Sequence, residues 1–209
     1  MLRRLVERSN GQEDKRRLIL EAAVRVFARK GYHACRVSDI AAEAGVAHGL
    51  LYHYFRSKED VLEQIFRETW SDLLAEVARI EQSEQRAVDQ LRAVASFFLG
   101  AWVRAPDLIR VLVREVARSP AVGSRVDEIA EVFRAIRRIV ERGRERGELR
   151  ADVDPWLATW VLYGALEEIL TGWVLGQLAG EPEDVARAVD TVVEVIGGGL
   201  APDRARIGA

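Results

Sequence analysis

His48, Gly49, Leu50, Tyr52, His53 and Tyr54 fall within seven consecutive residues, and their types set what that stretch can do. Imidazoles and phenols carry hydrogen-bonding tips on flat rings, and glycine lets another backbone come close. A surface of this kind suits contact with a phosphate backbone and base edges. Other chemistries are poorly served. The single cysteine, Cys35, excludes an internal disulfide, and the histidines at 33, 48 and 53 show neither CxxC nor HExxH spacing. Zinc ligation by His33, Cys35 and His53 therefore has no motif behind it, and no metal is expected. Glu115 and Glu167, acids on otherwise apolar segments, are a candidate acid–base pair, but no nucleophile–base–orienter set or phosphate loop accompanies them. The chain reads as a non-enzyme without a cofactor.

The elements that must hold the 48–54 stretch are legible on either side of it. Ser38 is an N-cap candidate for a short helix whose Ile40, Ala41 and Ala44 share an apolar face. Gly45 ends that helix, since only glycine enters the left-handed region freely, and Val46 plugs the turn. A second short helix starts at Ala47 or His48, buries Leu51 and Phe55 at i, i+4, and turns His48, Gly49, Leu50, Tyr52, His53 and Tyr54 outward. Two short helices around a glycine turn predict a helix-turn-helix. Upstream, a helix from Glu13 or Asp14 to Lys30 carries Leu18, Ala22 and Phe27 at helical spacing and stops at Gly31. Residues 1–12, with Arg3, Arg4 and Arg8, are expected to be a flexible basic arm, either merely solvated or reaching a DNA backbone or minor groove. Ser57 with Asp60 forms a capping arrangement for a helix running to about Arg79, long enough to link a head to a separate body.

The rest predicts helices throughout: Glu84–Arg104, Asp107–Arg118, Val122–Arg146, Asp154–Leu178 with Pro155 in its first turn, and Glu181–Ile196 stopped by Gly197-Gly198-Gly199. Without alternating strands or repeats, the fold class is all-α with about nine helices. The expected organisation is an arm at 1–12, a helix-turn-helix domain at 13–58, a helical ligand-binding and dimerisation domain at 59–200, and a tail at 201–209. The 154–178 helix is apolar on all sides, so one side faces its own domain and another a partner. Leu157, Val161, Gly164, Ala165 and Gly172, with Val189, Val192, Val193 and Ile196 of the last helix, are the candidate four-helix interface of a homodimer.

Phe98, Trp102, Leu112, Phe133, Trp160 and Tyr163 are either pocket lining or plain core. Glu115 and Glu167 either orient a ligand or pair with arginines. Arg104, Arg110, Arg114 and Arg118, and the row Arg134, Arg137 and Arg138, either grip phosphates of a ligand or form solvated faces.

The chain has 209 residues, 49% hydrophobic and 31% charged, which describes a globular protein. No apolar run reaches bilayer length and no signal pattern appears, so a cytoplasmic protein with no membrane partner is expected. The net charge of −2 hides an asymmetry. Residues 1–67 hold 13 Lys+Arg against 9 Asp+Glu, leaving an acidic remainder, as expected when one end meets phosphates.

The segments Arg16–Ala23, Phe27–Tyr32, Val37–Tyr54 and Leu51–Leu62 resemble the TetR family of bacterial transcriptional repressors over about fifty residues. Where many relatives carry Ser-Lys-Gly, this chain has Ala47-His48-Gly49, which leaves His48 as a weaker phosphate donor. The resemblance implies a homodimer on a palindromic double-stranded DNA operator, released by a hydrophobic small-molecule effector. In the head, Gly49, Leu50 and His53 are expected nearest the bases, and Ser38, His48, Tyr52, Tyr54 and Lys58 on phosphates. Gly164–Val174 and Val113–Val116 look like the branch of the family that controls fatty-acid degradation, which implies a long-chain acyl-CoA as effector. For that effector Phe98, Trp102, Arg110, Leu112, Arg114, Glu115, Phe133, Trp160, Tyr163 and Glu167 are the candidate contacts. An effector-independent architectural DNA-binding protein is the competing reading.

Overall fold

The computed structural model describes the backbone of residues 2–115 and 126–200, and side chains over 12–115 and 130–200. Every regular element among them is a helix: α1 Leu2–Lys30, α2 Val37–Glu43, α3 His48–Tyr54, α4 Lys58–Glu81, α5 Ala87–Arg104, α6 Pro106–Glu115, α7 Val126–Glu145, α8 Pro155–Val174 and α9 Pro182–Leu200. The described residues fall into two compact units, one from Met1–Thr69 with Arg110–Ser124, the other from Trp70–Ile109 with Arg125–Ala209. The division passes through α4 and α6.

In the first unit Ile19, Ala22, Ala23, Val26 and Phe27 of α1 meet Ile40 and Ala41 of α2, Leu51 of α3, Phe55, and Val61, Leu62, Ile65 and Phe66 of α4, all essentially buried. Each large side chain so removed from water contributes roughly 1.5–3 kcal/mol. That core fixes helices too short to stand alone, since α2 and α3 have seven residues each. Leu18, expected inward, is exposed, and Ile19 takes its place.

Four expectations about helix ends need correction. Helix α1 starts at Leu2, so the stretch read as a flexible arm continues the helix. It holds no proline, and Gly11 costs a helix only about 1 kcal/mol. The N-cap of α2 is Arg36, not Ser38: the Arg36 N–H donates to Asp39 Oδ2 at 2.9 Å, and the Asp39 N–H donates back to the Arg36 carbonyl at 3.0 Å. Helix α8 ends at Val174, short of Leu178. Gly176, at φ 69°, turns the chain, and the Gly176 and Gln177 N–H groups close onto the carbonyls of Trp173 and Gly172. Helix α9 instead runs through Gly197–Gly199, because tertiary contacts hold its last turn. Leu200 is buried, and its carbonyl accepts the Arg150 N–H at 2.7 Å. The other punctuation stands where expected: Asp154 Oδ1 accepts from the N–H of Trp156 at 2.8 Å and of Leu157 at 2.9 Å, with Pro155 opening α8.

The second unit contains a polar corner that sequence alone did not reveal. The Glu81 carboxylate, nearly buried at the end of α4, accepts from Arg138 at 2.9 and 3.0 Å and from Arg142 at 2.7 Å. Gln90 of α5 donates to the Ile80 and Ser83 carbonyls, each at 2.9 Å, and so satisfies the end of the same helix. The Arg138 hydrogen bond outweighs burial and holds the Glu81 carboxyl below its ordinary range.

Candidate nucleic-acid interface and effector region

The α2–α3 pair is built by one turn. Gly45 sits at φ 65°, and the Gly45 and Val46 N–H groups donate to the carbonyls of Ala42 at 3.2 Å and Ala41 at 3.0 Å, a Schellman closure. Helix α3 starts one residue past Ala47 and buries Leu51, while Phe55 caps it at 2% exposure. Those anchors turn His48, Gly49, Tyr52 and His53 to solvent, with Leu50 and Tyr54 half-buried at the edges. His48 and Tyr52 meet edge to face at 5.1 Å, as do His53 and Tyr54 at 5.2 Å. Nothing lies within 4 Å of where a Gly49 side chain would sit, so the glycine leaves a gap in an aromatic surface. Ser38, in the first turn of α2, is also exposed.

Lys58 is placed differently from the rest of this set. Its Nζ donates to the carbonyls of Tyr32 at 2.8 Å, Cys35 at 3.0 Å and His33 at 3.5 Å, and lies 4.4 Å from the centre of the Tyr32 ring. An ammonium has three protons, and these three acceptors take them. Lys58 thus clasps the α1–α2 loop to the start of α4. Beside it the Tyr32 hydroxyl donates to Glu59 at 3.0 Å, and burial followed by that bond to a carboxylate drives the Tyr32 hydroxyl well above its usual range. Burial likewise raises the Cys35 thiol, so Cys35 packs as a small apolar residue.

The candidate effector residues divide between the two units. In the second, Phe133 centres an aromatic cluster, 4.6 Å from Trp160, 4.7 Å from Tyr163 and 6.1 Å from Trp156, with Phe98 6.1 Å from Tyr163. Burial, then the nearby Glu167 charge, lifts the Tyr163 hydroxyl well above its ordinary range. Desolvation, then Glu168, lifts the Glu167 carboxyl. Trp102 belongs to another ring group: it stacks on Trp173 at 6.1 Å and its Nε1 donates to the Gly180 carbonyl at 2.8 Å.

Arg110, Leu112, Arg114 and Glu115 lie in the first unit. There Arg114 donates to the Ala28 carbonyl at 3.4 Å, and the buried Glu115 has His33 Nε2 4.0 Å away. The arginine row of α7 is occupied by acids, Arg134 by Glu131, Arg137 by Glu141 at 3.1 Å and Arg138 by Glu81. Arg104 folds over the Phe97 ring and donates to its carbonyl at 2.8 Å. Arg118 lies outside the described residues.

The candidate dimer residues separate as well. Leu157 and Val161 are more than 60% exposed, and Gly164 is exposed beside them. Ala165 and Ile196 are half-buried. Val189, Val192 and Val193, at most 8% exposed, belong to the protomer's own core, and Gly172 is covered by Leu178, whose Cδ1 would lie 2.8 Å from an added Cβ. These four are corrected from a partner surface to internal packing. Val195, one residue out of step with the valine stripe that drew notice, is 70% exposed on α9. Val88, Leu91, Leu162, Val192, Val193, Ile196 and Gly197 line a small apolar cleft of 210 Å³ including its open mouth.

Among the described residues no group of three or more His, Cys, Asp or Glu can hold a metal ion, and no helix is long and apolar enough to cross a membrane.

The model of bacterial regulatory proteins of the tetR family matches residues 19–65, and that of the tetracyclin repressor-like C-terminal domain matches residues 83–192. The Fatty acid metabolism regulator protein of Bacillus subtilis is 29% identical over 184 residues, which is 87% of this chain and 93% of that protein. The HTH-type transcriptional repressor KstR2 of Mycobacterium tuberculosis is 37% identical over 95 residues, covering 44% of this chain and 48% of its own length. Among solved structures, the transcriptional regulator FadR from Bacillus subtilis in complex with stearoyl-CoA superposes with a TM-score of 0.76 at 27% identity, covering 88% of this chain and 98% of that one.

Proposed function

The chain belongs to the TetR family of bacterial regulatory proteins, whose members bind DNA rather than catalyse, and from that premise we propose that it is a homodimeric repressor released from a palindromic operator by a long-chain acyl-CoA. The observation that carries the DNA half is the α3 surface: His48, Gly49, Tyr52 and His53 stay in water while Leu51 and Phe55 anchor the helix from behind. Gly49, Leu50 and His53 take the base edges, and Ser38, His48, Tyr52 and Tyr54 take phosphates. Two copies joined by Leu157, Val161 and Gly164 of α8 present two such surfaces to half-sites about one helical turn, 34–36 Å, or a multiple apart.

The effector reading rests on the Bacillus subtilis fatty-acid regulator, alike over nearly its whole length, and on the stearoyl-CoA complex of a protein of the same fold. It is supported by the Phe98, Phe133, Trp160 and Tyr163 cluster, an apolar and aromatic patch suited to an acyl chain. The acyl-CoA acts through its preference for one protomer conformation, and a coupling of about 1–3 kcal/mol weakens operator binding roughly 5- to 150-fold. Gel-shift titration of a selected operator with acyl-CoAs of increasing chain length tests the proposal. Release by long chains is the expected result; no release at any length removes the lipid effector and leaves the DNA reading standing.

A further inference from the structure

We infer that Arg36 and Arg56, at the entry and exit of the helix-turn-helix that Lys58 ties together, are the cations through which this head grips the DNA backbone. The inference deepens the DNA-binding reading and rests on it.

The basic excess of the head is smaller than it looks, because acids absorb most of it. Arg16 pairs with Glu13 at 3.2 Å and Glu68 at 2.5 Å; Arg17 with Asp14 at 3.4 Å; Arg25 and Arg29 with Glu43 at 2.9 and 2.8 Å; Lys30 with Asp39 at 2.8 Å; and Arg67 with Glu63 at 3.4 Å. Among the described side chains of residues 12–69, Lys15, Arg36, Arg56 and Lys58 are the lysines and arginines left without an ion pair; Lys58 is spent on backbone carbonyls, and the other three are exposed. Asp39 feels the Arg36 charge, but its Oδ1 is taken by Lys30 and its Oδ2 by the Arg36 N–H. Asp60 likewise uses Oδ2 on the Arg56 N–H, at 2.9 Å, leaving the guanidinium free.

Position separates the two arginines from Lys15. The 3.0 Å bond from Lys58 Nζ to the Cys35 carbonyl brings the chain before Arg36 against the chain two residues after Arg56. Arg36 opens α2 and Arg56 follows Phe55, the C-cap of α3, so the pair flanks the helix-turn-helix at its entry and exit. Lys58, its protons spent on carbonyls, serves as a positioning residue for cations better shaped for bidentate phosphate contact.

The test uses the full-length protein and a duplex selected from a randomised pool, with affinity measured across salt concentration. Each phosphate contact contributes about 0.9 to the slope of log affinity against log salt, and each substitution removes one contact from both heads of the dimer, so R36A and R56A should each lower it by about 1.8. At 0.15 M salt each such loss corresponds to roughly 30-fold weaker binding. R17A, whose partners are Asp14 and Glu21, should leave the slope alone. Adding K58M to R36A/R56A should lower the slope no further, whereas a direct phosphate contact by Lys58 in both heads would take away about 1.8 more. An unchanged slope in both single variants beside a salt-sensitive wild type overturns the inference and leaves DNA binding intact, and so does a shift in base preference. A wild type with no salt-sensitive DNA affinity overturns both.

Discussion

Helices α3 and α8 both turn aromatic rings to solvent, and the rings differ in a way that separates their tasks. On α3 the exposed rings are His48, Tyr52 and His53, each with a hydrogen-bonding tip, on a helix of seven residues bolted down by Leu51 and Phe55. On α8 they are Trp156 and Trp160, beside Leu157 and Val161, along a helix of 20 residues. A polar-tipped ring is content in water and against phosphate. A strip of Trp, Leu and Val with few polar atoms gains only by being covered. On the proposed reading, the first surface stays wet until DNA arrives, and the Leu157 and Val161 part of the second is dry in a dimer.

The largest expected effect breaks the dry surface. Leu157→Asp combined with Val161→Asp should turn the protein monomeric in analytical ultracentrifugation, with operator affinity falling at least about 100-fold, because a desolvated carboxylate in an apolar interface is costly. A variant that remains dimeric would place the dimer contact elsewhere. Next comes the anchor behind the wet surface: Leu51→Ala should cost about 2–5 kcal/mol in denaturant unfolding of the head while leaving the dimer intact.

A smaller effect concerns the Glu81 corner, which belongs to neither surface and should act on stability alone. Glu81→Gln should destabilise by about 1–2 kcal/mol, less than a fully buried pair would, because Arg138 and Arg142 are each partly exposed. Its folded carboxyl titrates below the unfolded value of 4.5, so its contribution is present above that pH and lost as pH falls through the lower folded value. Thermal melts below about pH 4.5 should lose that contribution in wild type and show no such loss in the variant.

The smallest effects use two glycines with open space around them. Gly198→Ala, on an exposed helical position with nothing within 4 Å, should raise stability by about 0.5–1 kcal/mol and leave binding unchanged. Gly49→Ala should not lower stability in melts either, yet on the proposed reading it should weaken operator binding, because the added methyl enters the gap through which DNA approaches. Equal DNA affinity in Gly49→Ala and wild type would show that the gap has no such purpose.

How far the sequence could be read differed between these regions. Gly45, Leu51, Phe55 and Ser57 announce the head because a turn, two anchors and a cap are local matters, settled within a few residues of chain. The aromatic patch of the body was legible only as composition. Nothing in the spacing of Trp102 distinguished it from Trp160, though one is tied to Gly180 and the other meets Phe133. Lys58 shows the same limit: a lysine at the start of a helix reads as free in the sequence, and only the fold places the loop carbonyls of Tyr32 and Cys35 around it.

The sequence by itself determined an all-helical chain, the glycine-hinged pair of short helices and the family to which they belong, since backbone preference and apolar period are written residue by residue. The tertiary structure alone decided which apolar residues of α8 and α9 turn inward and which remain exposed. It took Val189, Val192 and Val193 into the core and left Leu157, Val161 and Val195 outside. It also carried α9 through three glycines on the strength of a buried Leu200. A hydrophobic stripe records the wish to leave water, but which neighbour grants it depends on chain that is distant in sequence.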